Sequence, residues 1–198
     1  VDSPLVIKVA SISSARIQVY FVDNDDYFKR KQLSFDEDGK FFEDNGHRAV
    51  FFARGVLETV KKLRWAPDIV HCQGWISHLV PIYMKKVYNN DPIFAESKIV
   101  TSLYNEIGGC KFSADFKDAA RCGGITPKDL ELLDDPGGIN LAELAASYSD
   151  GVIFGSADVD ERLVKFCEGL DIPKMAFDED SVNSGRYIDE YDRFYQQL

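Results

Sequence analysis

The chain has 198 residues, 45% of them hydrophobic and 13% aromatic, enough to build the core of one ordinary domain. Its net charge of −10 argues against a nucleic acid or an anionic membrane as partner, because both are held mainly by Lys and Arg, and it suits a neutral ligand. No run reaches the ~18 apolar residues of a membrane span and no signal peptide is visible, so the expected location is the cytoplasm.

In chain order, Pro4 to Ile12 reads as a strand with Leu5, Ile7 and Val9 on one face. Arg16 to Val22 reads as a second strand, and Ser13-Ser14-Ala15 between them suggests a hairpin. The stretch from Asp23 to Gly46 is a long polar loop, but its aromatics (Tyr27, Phe28, Phe35, Phe41, Phe42) predict that it folds onto the domain. A helix follows from Asn45 to Arg64, capped by Asp44 or Asn45, with Ala49, Phe52, Ala53, Val56, Val60 and Leu63 inward. Pro67 ends that helix, and Asp68 to Cys72 forms a short buried strand rich in β-branched residues. The next helix spans Ser77 to Tyr88, with Pro81 near its first turn, where a missing amide costs little. Lys98 to Leu103 is a second buried strand, and this alternation predicts a parallel sheet with right-handed crossovers.

Paired glycines punctuate Glu106 to Ile139, with a short helix expected to start at Thr126-Pro127. Beyond it lie a helix over Asn140 to Tyr148, a strand over Gly151 to Phe154 and a helix from Ser156 or Ala157 to Glu168. Lys174 to Phe177 reads as a short last strand and Gly185 to Leu198 as a final helix. No internal repeat or dividing linker interrupts the pattern, so residues 1–198 are expected to form a single domain. Cys72, Cys110, Cys122 and Cys167 contain no C-x-x-C pair, which disfavours a zinc site. Cys110 and Cys122 are near enough in sequence to pair under oxidising conditions, but reduced thiols are the default.

The stretch Pro67-Asp68-Ile69-Val70-His71-Cys72-Gln73-Gly74-Trp75 carries the strongest functional signal. His71, Gln73 and Gly74 fall at the carboxyl end of a parallel strand, the edge at which open α/β sheets bind ligands. By spacing alone the favoured reading of the same residues is a strand-to-helix turn with a structural His. Asp44, Asn45 and Arg48 read as a helix cap with a surface Arg, and Ser156 as a helix cap without the surroundings of a nucleophile. His47 and His78 are isolated and expected at the surface.

Three segments together resemble the amino-terminal domain of bacterial glycogen and starch synthases. They are Tyr20 to Arg30; Asp44 to Gly55, similar to the family's D-N-x-x-R-x-x-F-F; and Pro67 to Trp75, similar to its P-D-x-x-H-x-H-D-W. A weaker likeness runs from Asn140 to Ser156, and Tyr104-Asn105 matches a family position written H-N. The resemblance implies an α/β, Rossmann-like parallel sheet with helices on both faces, the amino-terminal lobe of a GT-B-type glycosyltransferase lacking its first strand and helix. It implies transfer of glucose, with retention, from ADP-glucose or UDP-glucose to the non-reducing end of an α-1,4-glucan, with no cofactor and no metal.

In that scheme Gln73 is the candidate catalytic residue and hydrogen-bonds the sugar, His71, Gly74 and Asn105 line the cleft, and Trp75 packs beneath it. The pattern departs at two positions: Gln73 stands where the family has His, and Gly74 where it has an acid. The family's Lys- and Gly-rich loop, and the second lobe whose Arg, Lys and Glu neutralise the leaving diphosphate, do not occur in this sequence, which begins at Val1. The expectation is therefore a fragment nearly inert alone, since such neutralisation is a large share of the barrier lowering. The alternative is a non-catalytic glucan- or sugar-nucleotide-binding module that keeps only this lobe. A homo-oligomer is left open.

Overall fold

The computed structural model describes residues 3–198. It opens with a hairpin, β1 (Val6–Ile12) paired antiparallel to β2 (Ile17–Asp23) in register from Val6 opposite Asp23 to Ile12 opposite Ile17. Ser13–Ala15 makes the expected turn, closed by Arg16 in the left-handed conformation. The hairpin forms a sheet of its own and leaves Val9 and Phe21 more than half exposed.

The loop that follows is folded down as its aromatics predicted. It begins with a single helical turn, α1 (Asp25–Phe28), capped by Asn24, whose side chain accepts from the Tyr27 amide. Tyr27 and Phe28 pack on Phe51, while Phe35 and Phe41 join the main core. The long helix α2 (Asn45–Leu63) holds this loop in place. Arg48, expected at the surface, is 2% exposed and donates to the carbonyls of Tyr27 and Leu33 and to Asn45 Oδ1. Asp44, expected as a cap, makes no side-chain cap bond; it pairs with Arg30, whose guanidinium holds its carboxyl below the ordinary range. Leu63, expected inward, is 46% exposed in the last turn of the helix, and Leu57 is buried in the core face instead.

The main sheet has four strands in sequence order, all parallel: β3 (Ile69–Cys72), β4 (Lys98–Leu103), β5 (Gly151–Phe154) and β6 (Lys174–Met175). Between β3 and β4 runs a single-turn 3-10 helix (Trp75–Ser77) and then α3 (Val80–Lys86), with Pro81 in its first turn. The looser region contains α4 (Phe116–Ala120), which the sequence reading missed, and a 3-10 turn at Glu131–Asp134. Gly46 explains how close α4 sits to α2: a Cβ there would lie 2.7 Å from the Phe116 ring. Next come α5 (Gly138–Ser147), α6 (Glu161–Glu168), α7 (Glu179–Ser184) and α8 (Tyr187–Gln196). The helix expected from Ser156 begins at Glu161 instead, because Asp160 is the residue that caps it, accepting from the Arg162 amide.

The two-residue period of the strands separates two cores. Ile99 and Leu103 of β4 and Val152 of β5 face the side of α2, α3, α5 and α6, while Val100 and Ile153 face α8 through Phe194. Helices thus cover both faces. All four cysteines are free. Among the described residues no helix is long and apolar enough to cross a membrane.

Candidate functional site

The carboxyl ends of β3 and β4 lie side by side, with Cys72 opposite Thr101. As the chain leaves β3 it turns sharply at Gln73-Gly74. Gly74 has φ +79° and ψ 147°, a backbone region that residues with a Cβ enter only under strain. An acidic side chain at position 74, as the resembled pattern would have it, is therefore at odds with this turn. A carboxylate nonetheless stands beside it. Glu106, from the loop after β4, accepts the Trp75 amide at 2.9 Å through Oε2, and its Oε1 lies 3.8 Å from where a Cβ on Gly74 would be.

Further bonds fix the turn from below. The Ser77 hydroxyl donates to the carbonyl of Gly74 at 2.7 Å and reaches that of Gln73 at 3.1 Å. Trp75 is 5% exposed, donates from its indole to the Ser34 hydroxyl at 2.9 Å, and packs on Phe41 and Phe112. It is a foundation beneath the turn.

Gln73 is exposed above this foundation. Its side-chain contact with the Tyr104 hydroxyl is long, 3.5 Å, so the amide retains free donors and an acceptor. Asn105 is exposed on the neighbouring loop, its Oδ1 close against Gly108. Gln73, Gly74 and Asn105 thus share one rim at the sheet edge.

His71 sits apart from that rim. It points to the α8 face, and both ring nitrogens are engaged: Nδ1 with the Tyr195 hydroxyl at 2.5 Å and Nε2 with the Ser102 hydroxyl at 2.6 Å. The rings of Tyr191 and Tyr195 flank it at 5.6 and 5.7 Å. Burial lowers its pKa to about 4, so the imidazole is neutral at pH 7. Its geometry is that of a brace between β3, β4 and α8, two residues before Gln73 of the rim.

Two features escaped the sequence reading. Glu106 directly follows Tyr104-Asn105, and its place after a buried strand was the available signal. His78, expected at the surface, is 5% exposed behind Trp75, and nothing in its local spacing distinguishes the two outcomes. Ser156 caps no helix, and its buried hydroxyl has no hydrogen-bond partner among the described residues. His47 is partly exposed and contacts Asp115 at 2.8 Å. Among the described residues no group of three or more His, Cys, Asp or Glu is placed to hold a metal ion.

The family model described as starch synthase catalytic domain matches residues 2–171. A glycogen synthase of Chlorobaculum tepidum is 33% identical over 180 residues, covering 90% of this chain and 35% of the relative. One of Chlorobium limicola is 40% identical over 102 residues, covering 51% of this chain and 21% of the relative. The chain thus spans only about a fifth to a third of these relatives. Among solved structures, the catalytic domain of starch synthase IV from Arabidopsis thaliana, bound to ADP and acarbose, superposes with a TM-score of 0.62 over 89% of this chain and 38% of its own, at 16% identity. That likeness is one of fold.

Proposed function

This chain belongs to the starch synthase catalytic domain family, and from that premise we propose that it serves glucosyl transfer from ADP-glucose or UDP-glucose to the non-reducing end of an α-1,4-glucan. The observation that carries the reading is the Gln73-Gly74 turn: an exposed amide, without a short hydrogen bond of its own, held at the carboxyl edge of a parallel sheet by Ser77, Trp75 and Glu106.

In this reading the Gln73 amide donates to one sugar hydroxyl and accepts from another, which an un-ionised side chain does at any physiological pH. Asn105 supplies a second neutral amide across the rim. Gly74 lets the backbone approach the ligand closely. Glu106 orients the turn through the Trp75 amide, and His71 positions β3 from behind, acting on the site through the strand. The neutral rim suits the sugar moiety; the positive charge that would stabilise a leaving diphosphate is not among these residues. Residues 1–198 are then one lobe of the transferase, and the activity of the whole protein is part of the proposal.

A second reading is favoured by Gln73 and Gly74 themselves, which replace two polar positions of the family pattern: a lobe that binds glucan or sugar nucleotide without transferring it. A single experiment separates the two. The full-length parent protein is supplied with labelled ADP-glucose or UDP-glucose and a maltooligosaccharide primer, and binding of the primer is measured in parallel. Chain extension establishes the transferase. Binding without extension establishes the recognition module. Neither binding nor extension overturns both.

A further inference from the structure

The order of the sheet brings three residues to one place. β4 lies between β3 and β5, so the residue that follows it meets those that follow both neighbours. Tyr104 is the first residue beyond β4 and Gly155 the first beyond β5. The Tyr104 ring rests on Gly155: a Cβ there would stand 2.3, 2.4 and 2.9 Å from three carbons of the ring, its three nearest atoms. Gly155 has no positive φ, so it is the ring that reserves the position for glycine. On its other side the ring carries its hydroxyl to Gln73, just beyond β3, and donates to Gln73 Oε1 at 3.5 Å.

That contact is at the outer limit of a hydrogen bond, so giving it up costs little. Gln73 is exposed and Tyr104 half-buried, and among the described residues neither side chain makes another hydrogen bond. The pair therefore presents a phenol hydroxyl, which donates and accepts, beside a carboxamide with two N–H donors and an acceptor oxygen. The ring is already seated on Gly155, so its hydroxyl is delivered in place with little left to order on binding.

We propose that Tyr104 and Gln73 form a clamp for a vicinal diol, in which two adjacent sugar hydroxyls replace the long contact, one bonded to the phenol hydroxyl and the other to the carboxamide. The proposal rests on the reading of the Gln73 rim as a saccharide site and adds Tyr104 to it. The chemistry of the pair selects the ligand class. Sugar hydroxyls both donate and accept, as both protein groups do. A phosphate is a poorer match, because the pair brings no cation and the Glu106 carboxylate stands beside the turn, on the Trp75 amide. Tyr104 stands where the resembled pattern has His, so the phenol is this chain's own feature. Vicinal hydroxyls occur on a glucan end, on the glucose of a sugar nucleotide and on its ribose, and the ligands of the test separate these sources.

The test is a calorimetric titration of the full-length parent protein with maltotetraose, ADP-glucose and ADP, repeated for Tyr104→Phe, Gln73→Ala and the double variant. Tyr104→Phe removes the hydroxyl and keeps the ring on Gly155, so its thermal midpoint should stay at that of the parent. It should weaken binding of the diol-bearing ligand about fivefold, the size of one net hydrogen bond, both in the parent and in the Gln73→Ala background. A loss with maltotetraose assigns the diol to the glucan end, a loss with ADP-glucose but not ADP assigns it to the glucose, and a loss with both nucleotides assigns it to the ribose. If Gln73→Ala weakens binding and Tyr104→Phe does not, the clamp is wrong and the saccharide site stands. If Tyr104→Phe weakens binding only while Gln73 is present, Tyr104 merely orients the amide, and the clamp is again wrong. If the parent binds none of the three, or neither substitution weakens any of them, the saccharide site falls and the clamp with it.

Discussion

The two faces of the sheet treat an inward-turned imidazole in opposite ways. On the α8 face His71 is bonded at both nitrogens, to Tyr195 and to Ser102, within a layer of tyrosine rings. On the α5 side His78, seven residues on, is more deeply buried and bonded at neither nitrogen. Burial lowers the pKa of each to about 4, so the contrast is one of partners and not of charge. A polar group fully satisfied within the fold is part of the scaffold. One left unsatisfied carries the cost of its lost hydration with nothing to offset it.

Substituting His71 gives the largest expected effect. His71→Ala strips a partner from both Tyr195 and Ser102 and removes the packing of two aromatic rings. It should destabilise the chain by about 2 kcal/mol in urea denaturation, within the usual range for breaking a buried hydrogen-bond network. A change near zero would mean that α8 is not braced through this residue, and the contrast with His78 would fail on its first term.

Acid comes next. Both histidines have folded pKa values near 4, below the ordinary 6.5, so between those values the unfolded chain binds more protons than the folded one. Their contribution to stability is full above about pH 6.5 and is lost as the pH falls towards 4. Denaturation midpoints measured across that window should fall with pH. The slope should be shallower in His78→Leu, whose remaining titrating imidazole in the core is His71. An unchanged slope would show that His78 protonates freely in the folded state, and so is not sealed from water.

The turn itself supports a smaller effect. Gly74→Ala places a Cβ on a backbone at φ +79° and should cost about 1 kcal/mol, since the nearest atom, Glu106 Oε1, stands at an ordinary 3.8 Å and adds no clash. Gly74→Asn should cost about as much, because ψ 147° puts the residue outside the left-handed helical region that Asn tolerates. A markedly smaller loss for Asn would show that the turn relaxes into that region. Smallest of all in stability is Gln73→Ala, expected to lie within about 0.5 kcal/mol of the parent, as for other surface side chains. The same change should weaken saccharide binding about tenfold if the amide holds the sugar. Large destabilisation with intact binding would make Gln73 structural.

Local rules anticipated much of the frame. The β-branched runs at Ile69-Val70 and Lys98 to Leu103 were read as buried strands and are β3 and β4, and the Ser13-Ser14-Ala15 turn was read as a hairpin and is one. The helix over Asn45 to Arg64 appears as α2 within one residue. The misses share a cause. Asp44, Arg48, Ser156 and His78 are polar residues whose role depends on a partner distant in sequence, or on the lack of one. Asp44 was free to cap α2 until Arg30, 14 residues earlier, was folded against it. α4 was missed because a single helical turn has too few residues to display a period, and its aromatic Phe116 is fixed by packing on Gly46 and Phe112.

The sequence by itself determined the parallel α/β frame, the position of the Gln73-Gly74 turn at its carboxyl edge and the family, because backbone periodicity and turn chemistry act over a few residues and are written locally. Only the tertiary structure decided that His71 braces α8, that Glu106 comes from another strand to hold the Trp75 amide, and that His78 is buried beside a cavity. Burial and hydrogen-bond satisfaction are properties of neighbours in space. For these side chains the deciding neighbours lie across the sheet or in the next crossover, so the spacing along the chain carried no trace of them.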